Sequence, residues 1–281
     1  MRFGFHISIG GGLSKVLERA QKRSCQTIQI FSRNPRGWRY TKLDLKEVEI
    51  FKKDMVENDI YPIFVHMPYL PNLATKAKTL FQKSVVSLIA ELERCEIMGI
   101  PFLIMHVGKR MGATEEEGLR RVAEGINEAL AKVKNKVILL LENTAGMGSE
   151  IGYKFEQIQK IIELVEEKNR VGVVLDTAHA FEAGYELRTK EGLDNTLREF
   201  DKIIGLKKLY CLHLNDSKTD YASRVDRHWH IGKGKIGLEG FRLIVNHPLL
   251  KHLPGIMETP RDDTKLDLMN MKVIKGLVES R

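Results

Sequence analysis

Apolar positions along the chain follow two rhythms. Short runs rich in β-branched and aromatic residues, apolar on both faces, read as strands of a covered parallel sheet: Phe3–Ile7, Thr27–Phe31, Ile60–His66, Phe102–His106, Val137–Glu142, Val171–Asp176, Lys208–His213 and Gly255–Glu258. Between them lie longer stretches with helical spacing, at Leu13–Arg23, Leu45–Asn58, Lys76–Met98, Thr114–Val133, Phe155–Lys168, Leu193–Ile204, Leu238–Asn246 and Lys265–Val278. Thr114 before Glu115, Glu116 and Glu117 marks a helix start, because its hydroxyl can accept from the first free N–H groups and the acids face the positive end of the helix dipole. No linker rich in Pro, Gly or Ser interrupts the alternation. Parallel strands joined by helices cross over right-handedly. Eight such units close most economically as a (β/α)8 TIM barrel, an α/β fold with one domain over residues 1–281. An open doubly wound sheet is the second architecture the pattern allows.

Composition narrows the class. With 43% hydrophobic and 29% charged residues in 281, the chain supports a sizeable core and is not generally disordered. No stretch approaches the ~18 uninterrupted apolar residues of a membrane helix, and Met1-Arg2-Phe3-Gly4-Phe5-His6 has no apolar signal core. Cys25, Cys95 and Cys211 are isolated, which fits a reducing, cytoplasmic setting and argues against a disulfide scaffold or a thiolate zinc finger. The net charge of +8 and pI near 9.2 permit a polyanionic partner, though a solvated basic surface explains charge alone equally well.

The ends of the strand runs carry the chemistry. Seven of the eight end in or beside a metal-ligand residue type: His6, His66, His106, Glu142, Asp176, His213 and Glu258. In a parallel barrel all strand C-termini share one face, where active sites form. A single histidine there is ordinarily a hydrogen-bonded rim residue. Seven such groups in phase would repel or need neutralising at low dielectric, and divalent cations neutralise them. Asp176-Thr177-Ala178-His179 turns from the sixth strand into a helix and adds His179; the Asp226-Arg227-His228 loop adds two more. With His6 left as a supporting residue, the candidate ligands are His66, His106, Glu142, Asp176, His179, His213, Asp226, His228 and Glu258. Five imidazoles and four carboxylates without a thiolate suit zinc or manganese in open, catalytic sites. Nine ligands exceed one ion and, with a shared carboxylate, suit three.

At this point the chain resembles a known family. Val65-His66-Met67-Pro68-Tyr69, His106-Val107-Gly108, Leu141-Glu142-Asn143-Thr144-Ala145-Gly146, Leu175-Asp176-Thr177-Ala178-His179-Ala180, His213-Leu214-Asn215-Asp216-Ser217 and Ser223-Arg224-Val225-Asp226-Arg227-His228 are similar to endonuclease IV, the apurinic/apyrimidinic (AP) endonuclease family with a trinuclear metal site. The match spans His6 to Glu258 and agrees in order, spacing and type at all nine ligand positions. The resemblance implies a (β/α)8 barrel and three divalent ions, zinc by default, with manganese or iron at one site suiting the same donors. By resemblance, His66 and His106 hold one ion and Glu142 bridges it to a second, completed by Asp176, His213 and Glu258. His179, Asp226 and His228 hold the third. Glu142 and Glu258 are the implied catalytic carboxylates. The implied reaction is hydrolysis of the phosphodiester 5′ to an AP site in duplex DNA, giving a 3′-hydroxyl and a 5′-deoxyribose phosphate, with trimming of blocked 3′ ends. A monomer without an obligate protein partner is the family expectation.

Duplex contacts are expected from the loops around the cluster. Arg33-Asn34-Pro35-Arg36-Gly37-Trp38-Arg39 offers three arginines and an aromatic. The family uses the residues matching Arg36, Tyr69 and Leu70 to penetrate the duplex and hold the abasic nucleotide out of the helix, at least cost where a base is already missing. Ile231-Gly232-Lys233-Gly234-Lys235-Ile236-Gly237 lacks P-loop spacing. Its glycines are expected to let the backbone approach a phosphate, with Lys233 and Lys235 as positioning charges. Gly10-Gly11-Gly12 is expected only to turn into a helix. Asn143, Asn215 and Asp216 are expected to orient ligands. Two rivals remain: a mononuclear sugar isomerase or epimerase on the same barrel, for which His66, His106, His179, Asp226 and His228 are surplus, and a non-catalytic DNA-binding barrel with structural metals.

Overall fold

The computed structural model of the protein describes residues 1–260 and 264–279; the expected span of 1–281 also covers 261–263 and 280–281, which lie outside the described residues. The strand runs form β1 (Phe3–Ile7), β2 (Thr27–Phe31), β3 (Ile63–His66), β4 (Phe102–His106), β5 (Ile138–Glu142), β6 (Val171–Asp176), β7 (Leu209–His213), β8 (Asp216–Ser217), β9 (His228–Trp229) and β10 (Gly255–Met257). Among the described residues, eight of them close into a barrel in the order β1-β10-β7-β6-β5-β4-β3-β2, and the pairings are parallel. The barrel is the expected one; the open sheet is not formed.

Successive strand residues face opposite sides. One set, including Ile28, Ile30, Val65, Leu103, Leu139, Leu141, Val173, Leu175 and Leu212, faces outward and packs with helix residues such as Val48, Phe51, Val85, Leu92, Val122, Ile126, Ile158 and Phe241. The other set faces the barrel axis. Its lower layer is the separate apolar cluster Phe64, Ile104, Leu140, Val174, Cys211 and Ile256. Two residues further along the same six strands come His66, His106, Glu142, Asp176, His213 and Glu258. Strand periodicity and register therefore build the site: His106 pairs with Glu142 and Asp176 with His213 across neighbouring strands.

The helices are α1 (Val16–Lys22), α2 (Leu45–Glu57), α3 (Lys78–Met98), α4 (Glu115–Lys132), α5 (Phe155–Leu164), α6 (Thr177–Ala183), α7 (Lys190–Ile203), α8 (Gly237–Asn246) and α9 (Thr264–Gly276). Thr114 caps α4 through a reciprocal pair with Glu117, as the sequence suggested. Three boundaries move for physical reasons. β3 begins at Ile63 rather than Ile60, since Pro62 has no N–H for a ladder. The α7 helix starts at Lys190 rather than Leu193, because the Thr189 hydroxyl accepts from the Gly192 N–H at 3.1 Å. α5 stops at Leu164, and Lys168–Arg170 forms a separate 3₁₀ turn. The β8–β9 ribbon, with Asp216 opposite Trp229, was not anticipated. No helix among the described residues is long and apolar enough to cross a membrane.

Candidate metal centre

At the upper rim the ligand-type side chains converge in three groups: His66, His106 and Glu142; Glu142, Asp176, His213 and Glu258; and Asp176, His179 and His228. Within each, the donor atoms lie within 4.8 Å of one another. His66 Nε2 and His106 Nε2 approach the same Glu142 oxygen, Oε2, at 3.0 and 3.1 Å. The other oxygen, Oε1, lies 2.7 Å from His213 Nδ1, so Glu142 spans the first two groups. Asp226 Oδ1 lies 3.5 Å from His179 Nε2 and 3.8 Å from His228 Nε2, while Asp176 Oδ2 lies 3.5 Å from His228 Nε2. The expected third set is thus brought together, with Asp176 close enough to be shared.

Asp176 shows how local structure places these groups. As the last residue of β6 and the N-cap of α6, it accepts the His179 N–H through Oδ1 at 2.9 Å. One carboxylate oxygen starts the helix that carries His179, and the other faces the cluster.

The hydrogen-bond partners of the imidazoles leave one nitrogen of each ring facing the cluster. The Met67 carbonyl can only accept, so His66 Nδ1 donates to it at 2.7 Å and Nε2 faces Glu142 Oε2 at 3.0 Å. His179 Nδ1 donates to the Asn143 carbonyl at 2.9 Å, leaving Nε2 facing His228 Nε2 at 3.2 Å. His228 Nδ1 in turn faces the Glu258 carbonyl at 3.3 Å. Gln29 Nε2 donates to Glu258 Oε1 at 2.6 Å, which fixes its amide and makes Gln29 Oε1 the acceptor for His213 Nε2 at 2.9 Å. His213 Nδ1 then faces the Glu142, Asp176 and Glu258 carboxylates at 2.7, 3.8 and 3.6 Å. Carboxylates and imidazole nitrogens this close in a buried site need positive charge among them, which protons or metal cations can supply. The residues present therefore fit a divalent metal site, with second nitrogens already engaged in the way metal-binding imidazoles require.

The electrostatics agree. Burial alone would push the His213 imidazole down, but Glu142 and Glu258 carry it up to about 9. Burial likewise opposes charge on His179, yet Asp176 and Asp226 raise it well above the usual histidine value. Burial raises Glu142, and His213 and His106 more than offset it, holding the carboxyl well below its usual range. The cluster demands cationic partners on every side.

The supporting residues divide into two kinds. Asn143 accepts the Asp176 N–H through Oδ1 at 2.7 Å, and Asn215 donates from Nδ2 to Asp176 Oδ2 at 2.6 Å while accepting the Glu258 N–H at 2.7 Å. Both thus hold the Asp176 and Glu258 segments at the rim. Asp216 does not: its carboxylate accepts from the N–H groups of Gly234 and Ile236, each at 2.9 Å, and so folds the glycine-lysine loop. Gly234 is required there by that internal contact, since a Cβ would lie 2.3 Å from the Ser217 carbonyl oxygen and 2.5 Å from Asp216 Oδ1. Gln29 went unnoticed in the sequence. Its signal was a polar residue midway along the apolar run Thr27–Phe31, fully buried and joining His6, Glu258 and His213.

Comparison with known proteins places the chain. Residues 17–275 match the family described as the xylose isomerase-like TIM barrel. The chain is 45% identical to the probable endonuclease 4 of Cenarchaeum symbiosum, over 99% of each protein. It is 36% identical to the endonuclease IV of Thermus thermophilus, whose crystal structure superposes with a TM-score of 0.88 over 99% of this chain and 98% of that one. The chain belongs to the endonuclease IV family. A D-psicose 3-epimerase from Clostridium cellulolyticum, 14% identical with a TM-score of 0.71 over the whole of both chains, shares the fold alone.

In this endonuclease IV chain the rim loops stand around a cleft of about 400 Å³ lined by His66, Tyr69, His106, His179, Asp226, His228 and Glu258. Tyr69 and Leu70, held between Pro68 and Pro71, are 65% and 37% exposed, with Tyr69 edge-on to Phe31 at 5.3 Å. Arg36 is exposed beside a neighbouring groove, and Lys233 and Lys235 are exposed, the latter paired with Asp220 at 3.0 Å. Arg33 departs from expectation. It is buried, pairs with the fully buried Glu91 at 3.1 Å, and donates to the Gly37 carbonyl and to Ser87 Oγ. An arginine with all its neighbours inside cannot reach a duplex; it braces the loop that displays Arg36 and Arg39. After β1, Gly12 lies at φ 107° against Glu47, whose carboxylate accepts the Leu13 N–H at 3.1 Å, so the triple glycine is a turn into a helix.

Proposed function

We propose that this protein is a metal-dependent deoxyribonuclease that cleaves the phosphodiester bond 5′ to AP sites in duplex DNA, leaving a 3′-hydroxyl and a 5′-deoxyribose phosphate. The observation that carries the proposal is the convergence of three N/O donor groups around Glu142 and Asp176 at the mouth of the barrel. His66, His106 and Glu142 would hold one divalent ion, Glu142, Asp176, His213 and Glu258 a second, and His179, Asp226 and His228 a third. Zinc fits these donors, and manganese or iron would fit at one position. Such ions supply Lewis acidity toward a phosphodiester and a water acidic enough to act as nucleophile near neutral pH.

The chain's own residues do the rest. Glu142 and Asp176 hold neighbouring groups in fixed relation, and Gln29 holds His213 in the tautomer that frees Nδ1. Glu258 and Asp226 are the carboxylates open to the cleft. Tyr69 and Leu70 offer apolar wedges and Arg36 a cation to a distorted duplex, with Lys233 and Lys235 on backbone phosphates. A mononuclear sugar isomerase would use one donor group and leave the other histidines without a task.

The test is an end-labelled duplex with one AP site beside an intact duplex, with the product ends identified. Incision 5′ to the lesion, leaving an end that a polymerase extends, is expected. An intact abasic duplex after incubation with metal-loaded protein would overturn the proposal.

A further inference from the structure

Five of the nine proposed ligands end barrel strands and are fixed by the ladder, and Glu258 directly follows β10 with its N–H on Asn215 Oδ1 at 2.7 Å. His179 is fixed by α6 through the Asp176 cap. Asp226 has neither support, and His228 has only the two-residue β8–β9 pairing opposite Ser217: both lie at the far end of the connection that leaves the barrel after β7. The Ala222 N–H bonds the Phe181 carbonyl at 3.1 Å, and Tyr221 Oη donates to the Gly184 carbonyl, but the side chain that ties both ends of that connection to α6 is Glu182, one helical turn beyond His179. Glu182 is fully buried, and its Oε1 accepts from Ser217 Oγ at 2.7 Å and from the Arg227 N–H at 3.2 Å, with Thr219 Oγ1 at 3.1 Å. Its backbone carbonyl accepts the Arg224 N–H at 3.0 Å. Its second oxygen, Oε2, is buried without a partner.

A buried carboxylate with one unserved oxygen costs free energy that an apolar residue in the same place would not. Its return is specific: the hydrogen bonds its Oε1 accepts come from residues at both ends of the segment that delivers Asp226 and His228. Ser217 opens the segment and Arg227 lies between the two ligands. We infer that Glu182 is a positioning residue that clamps residues 217–227 onto α6, and thereby sets the hold of His179, Asp226 and His228 on one cation of the cluster. The inference rests on the metal-site reading proposed above.

The test is release of divalent metal from zinc-loaded full-length protein to a chromogenic chelator, comparing wild type with E182A, E182Q and S217A. E182A is expected to give up one class of ion about tenfold faster or more, the scale of losing an outer partner of a ligand, while the remaining metal leaves at the wild-type rate. E182Q keeps an oxygen acceptor and is expected to stay close to wild type. S217A removes one donor only and should move the same class of ion by a smaller factor, which keeps the inference testable if E182A does not fold. Equal acceleration of all the metal, or none, would overturn it, as would E182Q behaving like E182A. Wild-type protein that takes up no cation would overturn the metal-site reading as well, whereas normal uptake with unchanged release from E182A overturns the clamp alone.

Discussion

The two layers inside the barrel are made by the same six strands, two residues apart, and obey opposite rules. In the lower layer Phe64, Ile104, Leu140, Val174, Cys211 and Ile256 fill the axis with apolar volume and need only shape. In the upper layer His66, His106, Glu142, Asp176, His213 and Glu258 crowd acceptors and lone pairs together and need positive charge. Removing an atom below leaves a void; removing one above leaves its partners uncompensated. The lower layer keeps the strands in register, and register is what turns six separate side chains into one site.

Substitution on a single strand separates the layers. Glu142→Ala should reduce AP-site incision by more than the roughly 10–100-fold typical of losing an outer partner, with metal lost in parallel by elemental analysis; activity within about tenfold of wild type would sink its bridging role. Leu140→Ala, two residues below, should lower unfolding free energy by about 2–5 kcal/mol in a urea titration. Its metal content should be unchanged, and loss of metal in the folded variant would show that the layers are not separable. Gln29→Leu should weaken metal affinity by about 10–100-fold in chelator competition, since His213 loses its tautomer lock, yet keep the fold; unchanged affinity would remove Gln29 from the account. The smallest effect is on pH. In chelator-stripped protein the folded-state value of His213, about 9, lies above the ordinary 6.5. The stabilisation from its proton is therefore complete below about 6.5 and lost as pH rises through about 9. Stripped protein should lose urea resistance across that window relative to metal-loaded protein, in which a cation would replace the titrating Nδ1 proton; parallel curves would contradict the exchange of proton for cation.

Much of this was legible in the chain because period-two alternation writes both layers into each strand run. Leu140 and Glu142, or Val174 and Asp176, are visible as an apolar residue followed two positions later by a metal-ligand residue type. The nine proposed ligands were legible for a second reason, since their motifs resemble a known family. What stayed hidden depended on contacts between distant segments. Gln29 is one polar residue in an apolar run until the barrel closes beside Glu258 and His213. Arg33 looks like a surface cation until Glu91, on α3, meets it. Asp216 looks like a support for the metal site until the glycine-lysine loop folds onto it. The β8–β9 ribbon is too short for any periodicity to show.

The most direct measurement is incision of an AP-site duplex by one protein preparation as purified, after exhaustive chelation, and after return of zinc or manganese, with bound metal measured at each stage. The upper layer described here predicts that activity and metal fall together and return together, with the protein folded throughout. Undiminished incision by folded protein stripped of its metal would contradict it.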